Sequence, residues 1–163
     1  MEISYLMLGG NVGDRMDDLR RCVECLQRDA GKLITLSAVY ESEPWGFDDS
    51  CWFLNQAVTL ETDLAPHVLL ECTRQIEKTL GRSRIHGGYH ARTIDIDILL
   101  YGNRIVNFPE LVIPHPRMAE RMFVLQPMTD LAPDLIHPVL HQSMAILKEQ
   151  CTDKKRINFY LNN

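Results

Sequence analysis

The segment Thr93-Ile94-Asp95-Ile96-Asp97-Ile98-Leu99-Leu100-Tyr101 alternates polar and apolar side chains and halts at the turn pair Gly102-Asn103, so it reads as a strand with one buried face. Its isoleucine comb, Ile94, Ile96 and Ile98 with Leu100, must be covered, and the covering elements lie upstream. Ile3 to Leu8 reads as a first strand ending at Gly9-Gly10. Met16, Leu19, Val23 and Leu26 then recur at helical steps up to Gly31. Lys32 to Tyr40 is β-branched and apolar, a second strand. After the turn-rich stretch Glu41 to Cys51, Phe53 to Glu61 alternates, with Leu54, Val58 and Leu60 on one face and Phe53, Asn55 and Thr59 on the other. A second helix is expected to start at Pro66, to bury Val68, Cys72, Ile76 and Leu80, and to stop at Gly81.

Strand, helix, strand, strand, helix, strand is the α+β, ferredoxin-like βαββαβ order: an antiparallel sheet with both helices on one face. Arg104 to Val106 is expected to add an edge strand or hairpin, and two C-terminal helices are expected near Arg117 to Asp130 and Gln142 to Gln150. At 163 residues the chain is expected to form one domain over 1–163.

Seventeen basic and twenty-two acidic residues give a net charge of −5, which excludes a general nucleic-acid or anionic-membrane binder. Apolar runs fall far short of the ~20 residues a membrane helix needs. The start Met1-Glu2-Ile3-Ser4-Tyr5 has neither the basic nor the apolar part of a signal peptide, so a cytoplasmic location is expected; the protein is also expected to act as a monomer. Five cysteines are an odd number that fits reduced thiols, and Cys22-Val-Glu-Cys25 falls inside a helical stripe, where it reads as helix surface and core.

Asp95 and Asp97 project from the same face of their strand with Cα atoms ~7 Å apart, close enough to hold hard cations such as Mg²⁺ together; the same alternation also describes a solvated face. The loop before them carries Arg82, Arg84 and Arg92 with His86 and His90 and no acid, a local excess of +3 in eleven residues. Arginine is suited to bidentate phosphate binding, and cation-binding carboxylates beside it resemble a nucleotide site for phosphoryl-type transfer. His115 and Arg121 are further candidates. Glu77 either accepts from an adenosine hydroxyl or faces water, with water the preferred reading. Phe53 and Asn55 offer an aromatic wall beside an amide, and Phe123 a second wall, although packing or solvation would also explain them. Gly9-Gly10-Asn11-Val12-Gly13 lacks the Walker lysine and the GxGxxG spacing and reads as a tight turn.

The chain resembles the 6-hydroxymethyl-7,8-dihydropterin pyrophosphokinases. The resemblance rests on Leu8 to Asp14, Phe53 to Val58, Ile76-Glu77 with Gly81-Arg82, Arg92 to Gly102, and Pro114-His115-Pro116-Arg117 with Arg121 to Pro127. It implies transfer of the β,γ-diphosphate of ATP to the hydroxymethyl group of 6-hydroxymethyl-7,8-dihydropterin, releasing AMP, in tetrahydrofolate biosynthesis. It also implies two Mg²⁺ ions on Asp95 and Asp97. By resemblance, Phe53 and Phe123 sandwich the pterin, while Ser42, Asn55, Asp95 and backbone around Pro44 and Gly46 contact its edges. ATP is expected against Glu77, Ile98 and His115, with Arg82, Arg84, Arg92 and Arg121 at its phosphates and Arg82 and Arg92 assisting catalysis. Where the family commonly has Arg-Trp-Gly-Pro-Arg, this chain has Gly88-Tyr89-His90-Ala91-Arg92, without one arginine and the tryptophan.

Two other classes share the element order. An RNA-binding module would also place aromatics on the open sheet face, but acidic Asp95 and Asp97 would then lie in the path of RNA phosphates. A ferredoxin-like nucleotide or metabolite sensor would bind without turnover.

Overall fold

The computed structural model of the chain describes residues 1–44, 51–82 and 93–161. Its main sheet contains β1 (Glu2–Gly10), β2 (Lys32–Leu36), β3 (Tyr40–Ser42), β4 (Phe53–Thr62), β5 (Asp95–Tyr101) and β8 (Ile157–Phe159), and every pairing in it is antiparallel. The strand order is β5-β1-β4-β3-β8, with β2 pairing on β4 ahead of β3. The expected second strand is therefore two. Ser37 divides them: its hydroxyl accepts the Ala57 N–H at 2.9 Å while its carbonyl accepts the Gln56 side-chain amide at 2.9 Å. β8, three residues near the C-terminus, carried no legible signal.

α1 (Arg15–Asp29) and α2 (Pro66–Arg82) cover one face of the sheet, as the βαββαβ order requires. Asp14 caps α1 by accepting the Asp17 N–H at 3.0 Å. Leu19, Cys22, Cys25 and Leu26 of α1 pack with Leu69, Ile76 and Leu80 of α2 on Leu6, Leu8, Leu54, Val58, Leu60, Ile96 and Ile98. The buried positions of α2 are Pro66, Leu69, Thr73, Ile76 and Leu80; Cys72 packs partly buried against the core, but Val68 does not join the stripe. Val68 remains 41% exposed.

The opposite face is not left open, as the sequence led one to expect. α3 (Met122–Leu131) and α4 (Met144–Gln150) cover part of it, enclosing Met7, Ala57, Leu99 and Leu100 with Val124, Leu125, Met128, Met144 and Leu147. Leu100 thus leaves the isoleucine comb. Tyr5 pairs with Leu100 but the next residue, Leu6, pairs with Ile98, so Leu99 is a bulge residue and the strand beyond it is turned over. The buried Ser4 hydroxyl, donating to the Leu100 carbonyl at 2.9 Å, fixes that turn.

β6 (Val106–Phe108) and β7 (Leu111–Ile113) form a separate two-stranded hairpin, not an edge strand of the main sheet. A 3-10 turn at Met118–Glu120 and an extended Arg121 delay α3 to Met122, five residues later than expected from Arg117.

Candidate active site

β1 ends at its two glycines as expected, but both are paired strand residues and not turn residues, and that builds the site. Gly9 pairs with Asp95 on one side and Asn55 on the other, so the two polar residues share one row across β5, β1 and β4. The next row is Asp97, Met7 and Ala57. Adjacent strands are ~4.8 Å apart, which places the Asn55 and Asp95 Cα atoms ~10 Å from each other over a residue with no side chain. A β-carbon on Gly9 would stand 3.3 Å from Asn55 Oδ1. Gly10 faces the other way, where a side chain would run into the Thr93 carbonyl.

Asn55 is buried and its amide nitrogen donates to Ser42 Oγ at 2.7 Å, so its Oδ1 is the atom presented over Gly9. This removes the reading of Asn55 as simply solvated. Ser42 is itself buried and pairs across the strands with Phe53, which is half-buried. Pro44 is buried. Phe123 enters from the first turn of α3, packed against the second cluster, with the Arg121 guanidinium carbon 5.7 Å from its ring centre. Ser42, Phe53, Asn55, Gly9, Asp95 and Asp97 therefore share the sheet face on which α3 sits, beyond the patch that α3 and α4 cover.

Asp95 is half-buried and Asp97 exposed. Among the described residues no group of three or more His, Cys, Asp or Glu could hold a metal ion. A pair of carboxylates suits Mg²⁺, which keeps several waters and takes its remaining oxygens from substrate phosphates.

His115 donates its backbone N–H to the Leu99 carbonyl at 2.9 Å, which docks the Pro114–Arg117 turn beside β5. Its Nδ1 accepts the Arg117 N–H at 3.2 Å. Burial holds the imidazole below its ordinary pKa, the charges of Arg121 and Arg117 act in the same direction, and Asp97 opposes them. Glu77 does not merely face water: its Oε1 accepts the Ile96 N–H at 2.7 Å, tying α2 to β5. The Ile98 side chain is 4% exposed in the core under the helices, so only its backbone can reach a ligand. Arg82 ends α2. Its side chain, Gly46, Arg84, Arg92 and the Gly88-Tyr89-His90-Ala91 stretch lie outside the described residues.

Sequence reasoning missed two features. In sequence Gly9 reads as part of a turn, whereas its place between two polar residues is visible only in the cross-strand register. Tyr40, in register with Asn55, donates from its hydroxyl to Asp130 Oδ2 at 2.7 Å and accepts from Gln126 Nε2 at 3.3 Å, joining β3 to α3. A hollow of about 490 Å³ lined by Asn11, Arg15, Glu41 and Trp52, among others, opens on the α1 side of β3, away from the row. Its Arg15 is already engaged with Glu41 at 2.8 Å and the Trp52 carbonyl at 2.6 Å.

Residues 5–133 match the family model of 7,8-dihydro-6-hydroxymethylpterin-pyrophosphokinase. A 2-amino-4-hydroxy-6-hydroxymethyldihydropteridine pyrophosphokinase of Porphyromonas gingivalis is 49% identical over 141 residues, covering 85% of this chain and 95% of its own. One of Bacillus subtilis is 45% identical over 130 residues, covering 79% and 77%. Among solved structures, a Plasmodium falciparum HPPK-DHPS with pteroate superposes with a TM-score of 0.74 at 15% identity over 91% of this chain, which spans only 44% of that longer one and shares its fold in that part. The match of residues 5–133 to the family model and the 45–49% identity to these relatives over most of the length mean that the chain belongs to the 7,8-dihydro-6-hydroxymethylpterin-pyrophosphokinase family.

Proposed function

We propose that the row Asn55, Gly9, Asp95 with the neighbouring Asp97 is where this chain carries out its family's reaction. That reaction is ATP-dependent pyrophosphoryl transfer to hydroxymethyldihydropterin in folate biosynthesis, and the chain is an ATP-dependent diphosphokinase. One observation carries the placement: an amide oxygen and two carboxylates share one sheet face whose floor is a glycine.

The pterin lies flat over Gly9, between Phe53 and Phe123. Asn55 Oδ1 accepts from a ring N–H, and Ser42 with the backbone at Pro44 and Gly46 reads the remaining edge. ATP extends toward α2 and the His115 turn, contacting Glu77, the Ile98 backbone and His115. Arg82, Arg84, Arg92 and Arg121 surround its phosphates, where planar guanidinium forks match phosphate oxygens. A neutral His115 whose Nδ1 is already accepting carries its proton on Nε2, a donor for a nucleotide oxygen.

In the chemical step the pterin's hydroxymethyl oxygen bonds to the β-phosphorus as the bond from that phosphorus to the α-phosphate oxygen breaks. The hydroxyl proton passes to solvent water and AMP departs with the bridging oxygen on its α-phosphate. Two Mg²⁺ held by Asp95 and Asp97 would screen the phosphate charge and align the triphosphate. The protein's own contribution is positioning, with Arg82 and Arg92 stabilising charge on the transferred group. We read the working enzyme as a cytoplasmic monomer; among the described residues no helix is long and apolar enough to cross a membrane.

The test is AMP formation from ATP and 6-hydroxymethyl-7,8-dihydropterin, with Mg²⁺ or EDTA and with the pterin omitted. AMP that requires both pterin and Mg²⁺, and that is lost in Asp97→Ala with the fold intact, supports the reading. Full turnover of Asp97→Ala at limiting Mg²⁺ overturns the metal assignment. Binding of both substrates without AMP formation would favour the sensor reading.

A further inference from the structure

Ser42 and Phe53 stand opposite each other at the ends of β3 and β4, and the residues just beyond them, Glu43 and Trp52, meet on a single side chain from the far end of the chain. Arg156 precedes β8. Its backbone N–H donates to Glu43 Oε2 at 2.8 Å, its Nε donates to Glu43 Oε1 at 2.8 Å, and its second guanidinium nitrogen lies 2.7 Å from the same oxygen. The Glu43 N–H returns a bond to the Arg156 carbonyl at 3.1 Å. The guanidinium carbon lies over the Trp52 ring, 5.0 Å from its centre.

We infer that Arg156 is a positioning residue for the pterin site, clamping Glu43 to Trp52 and thereby holding in place the ends of β3 and β4 that carry Ser42 and Phe53. The inference rests on the assignment of Ser42 and Phe53 as pterin contacts.

An ordinary surface ion pair would look similar in part, and such pairs add little to stability. Three features set this one apart. The carboxylate is gripped by both backbone and guanidinium, so the pair has one geometry and not many. The same guanidinium contacts Glu43 and Trp52, the residues that flank the two strands carrying pterin-contact candidates. The β8 pairing continues the clamp inward, because Ser42 is in register with Ile157, the residue after Arg156. Hydrogen bonds from Arg156 also keep the Glu43 carboxyl below its usual pKa, so the pair stays charged through neutral pH.

Because the Arg156 side chain is 72% exposed, Arg156→Ala is expected to fold. It should weaken pterin binding by about three- to tenfold, the coupling expected of a residue that touches neither ligand, while ATP–Mg²⁺ affinity stays within about twofold. Glu43→Gln should weaken pterin binding similarly, and the double variant should be no worse than Arg156→Ala alone, since both remove one clamp. Arg156→Lys, which keeps the charge but not the fork or the stacking plane, should recover only part of the affinity. Calorimetry of each variant with the pterin and with ATP–Mg²⁺ reads these effects. Unchanged pterin affinity in Arg156→Ala, or equal weakening of pterin and ATP, overturns the inference. Phe53→Ala separates the two levels: if it leaves pterin affinity unchanged, the site assignment itself fails. If Phe53→Ala weakens the pterin and Arg156→Ala does not, only the clamp fails.

Discussion

Asn55 and Asp95 sit on opposite sides of Gly9 in one cross-strand row, so the gap between an amide oxygen and a carboxylate is set by a missing side chain. Gly9 has no left-handed backbone requirement, which means alanine can be accommodated by the strand itself. Its methyl would stand 3.3 Å from Asn55 Oδ1 and occupy the floor of the row. Gly9→Ala is therefore expected to raise KM for the pterin about tenfold, in line with the ~1–3 kcal/mol typical of overpacking, with KM for ATP little changed. Steady-state kinetics with each substrate varied in turn checks this. Equal effects on both substrates would place the pterin elsewhere.

Glu77 joins the second helix to the strand that bears the carboxylates. Removing it in Glu77→Ala leaves the Ile96 N–H without its 2.7 Å acceptor, a loss of about 1–3 kcal/mol where water cannot replace it. At roughly 2–4 °C per kcal/mol for a chain of this size, the melting temperature should fall by several degrees. Glu77→Gln keeps an acceptor oxygen and should melt close to the parent. Thermal unfolding followed by circular dichroism distinguishes the two, and a Glu77→Ala protein as stable as the parent would show that the bond contributes nothing.

The parts of the fold legible in the sequence are those with local causes. The alternation from Ile94 to Ile98 and the stripe of Leu19 and Leu26 state which side is buried without reference to any other segment. The side on which Leu100 lies could not be read in this way, because it depends on how β5 pairs with Tyr5 and Leu6 of another strand. Asp95, Asp97 and Asn55 were recognisable because polar residues stand out in apolar strands. Gly9 was not, since a Gly-Gly pair normally marks a turn. The Glu43–Arg156 contact joins residues 113 apart in sequence, a separation at which no periodicity operates.

The first turn of α3 carries Phe123 and follows Arg121, and it is held from outside the helix. Asp153 Oδ2 accepts the Met122 N–H at 2.9 Å while its other oxygen accepts the Lys155 N–H at 3.0 Å. No cap side chain from Arg121 does this work. Asp153→Ala should cost about 0.5–2 kcal/mol, as loss of a helix N-terminal acceptor does, and Asp153→Asn appreciably less. Urea unfolding midpoints provide the comparison. Because Phe123 moves with that turn, Asp153→Ala should also raise KM for the pterin. Normal stability with normal KM would mean that packing alone sets the start of α3.

His137 gives the fold a pH dependence separable from the active site. It is 5% exposed, and its Nδ1 accepts the Val139 and Leu140 N–H groups at 3.2 and 3.1 Å, which requires that nitrogen to be unprotonated. Burial, with the nearby His141 adding to it, depresses its pKa below the ordinary imidazole value. Between that lowered value and the unfolded-chain value of about 6.5, the unfolded state binds a proton that the folded state refuses. Stability contributed by the neutral ring is thus fully present above about pH 6.5 and falls as the pH drops below it. His115 shifts in the same direction, so the parent protein alone does not isolate His137. His137→Asn, whose Oδ1 can accept in place of Nδ1, removes the titration and keeps an acceptor. Urea midpoints at about pH 7.5 and about pH 5.5 should therefore fall less in the variant than in the parent. An identical drop in both would assign the acid sensitivity to other groups.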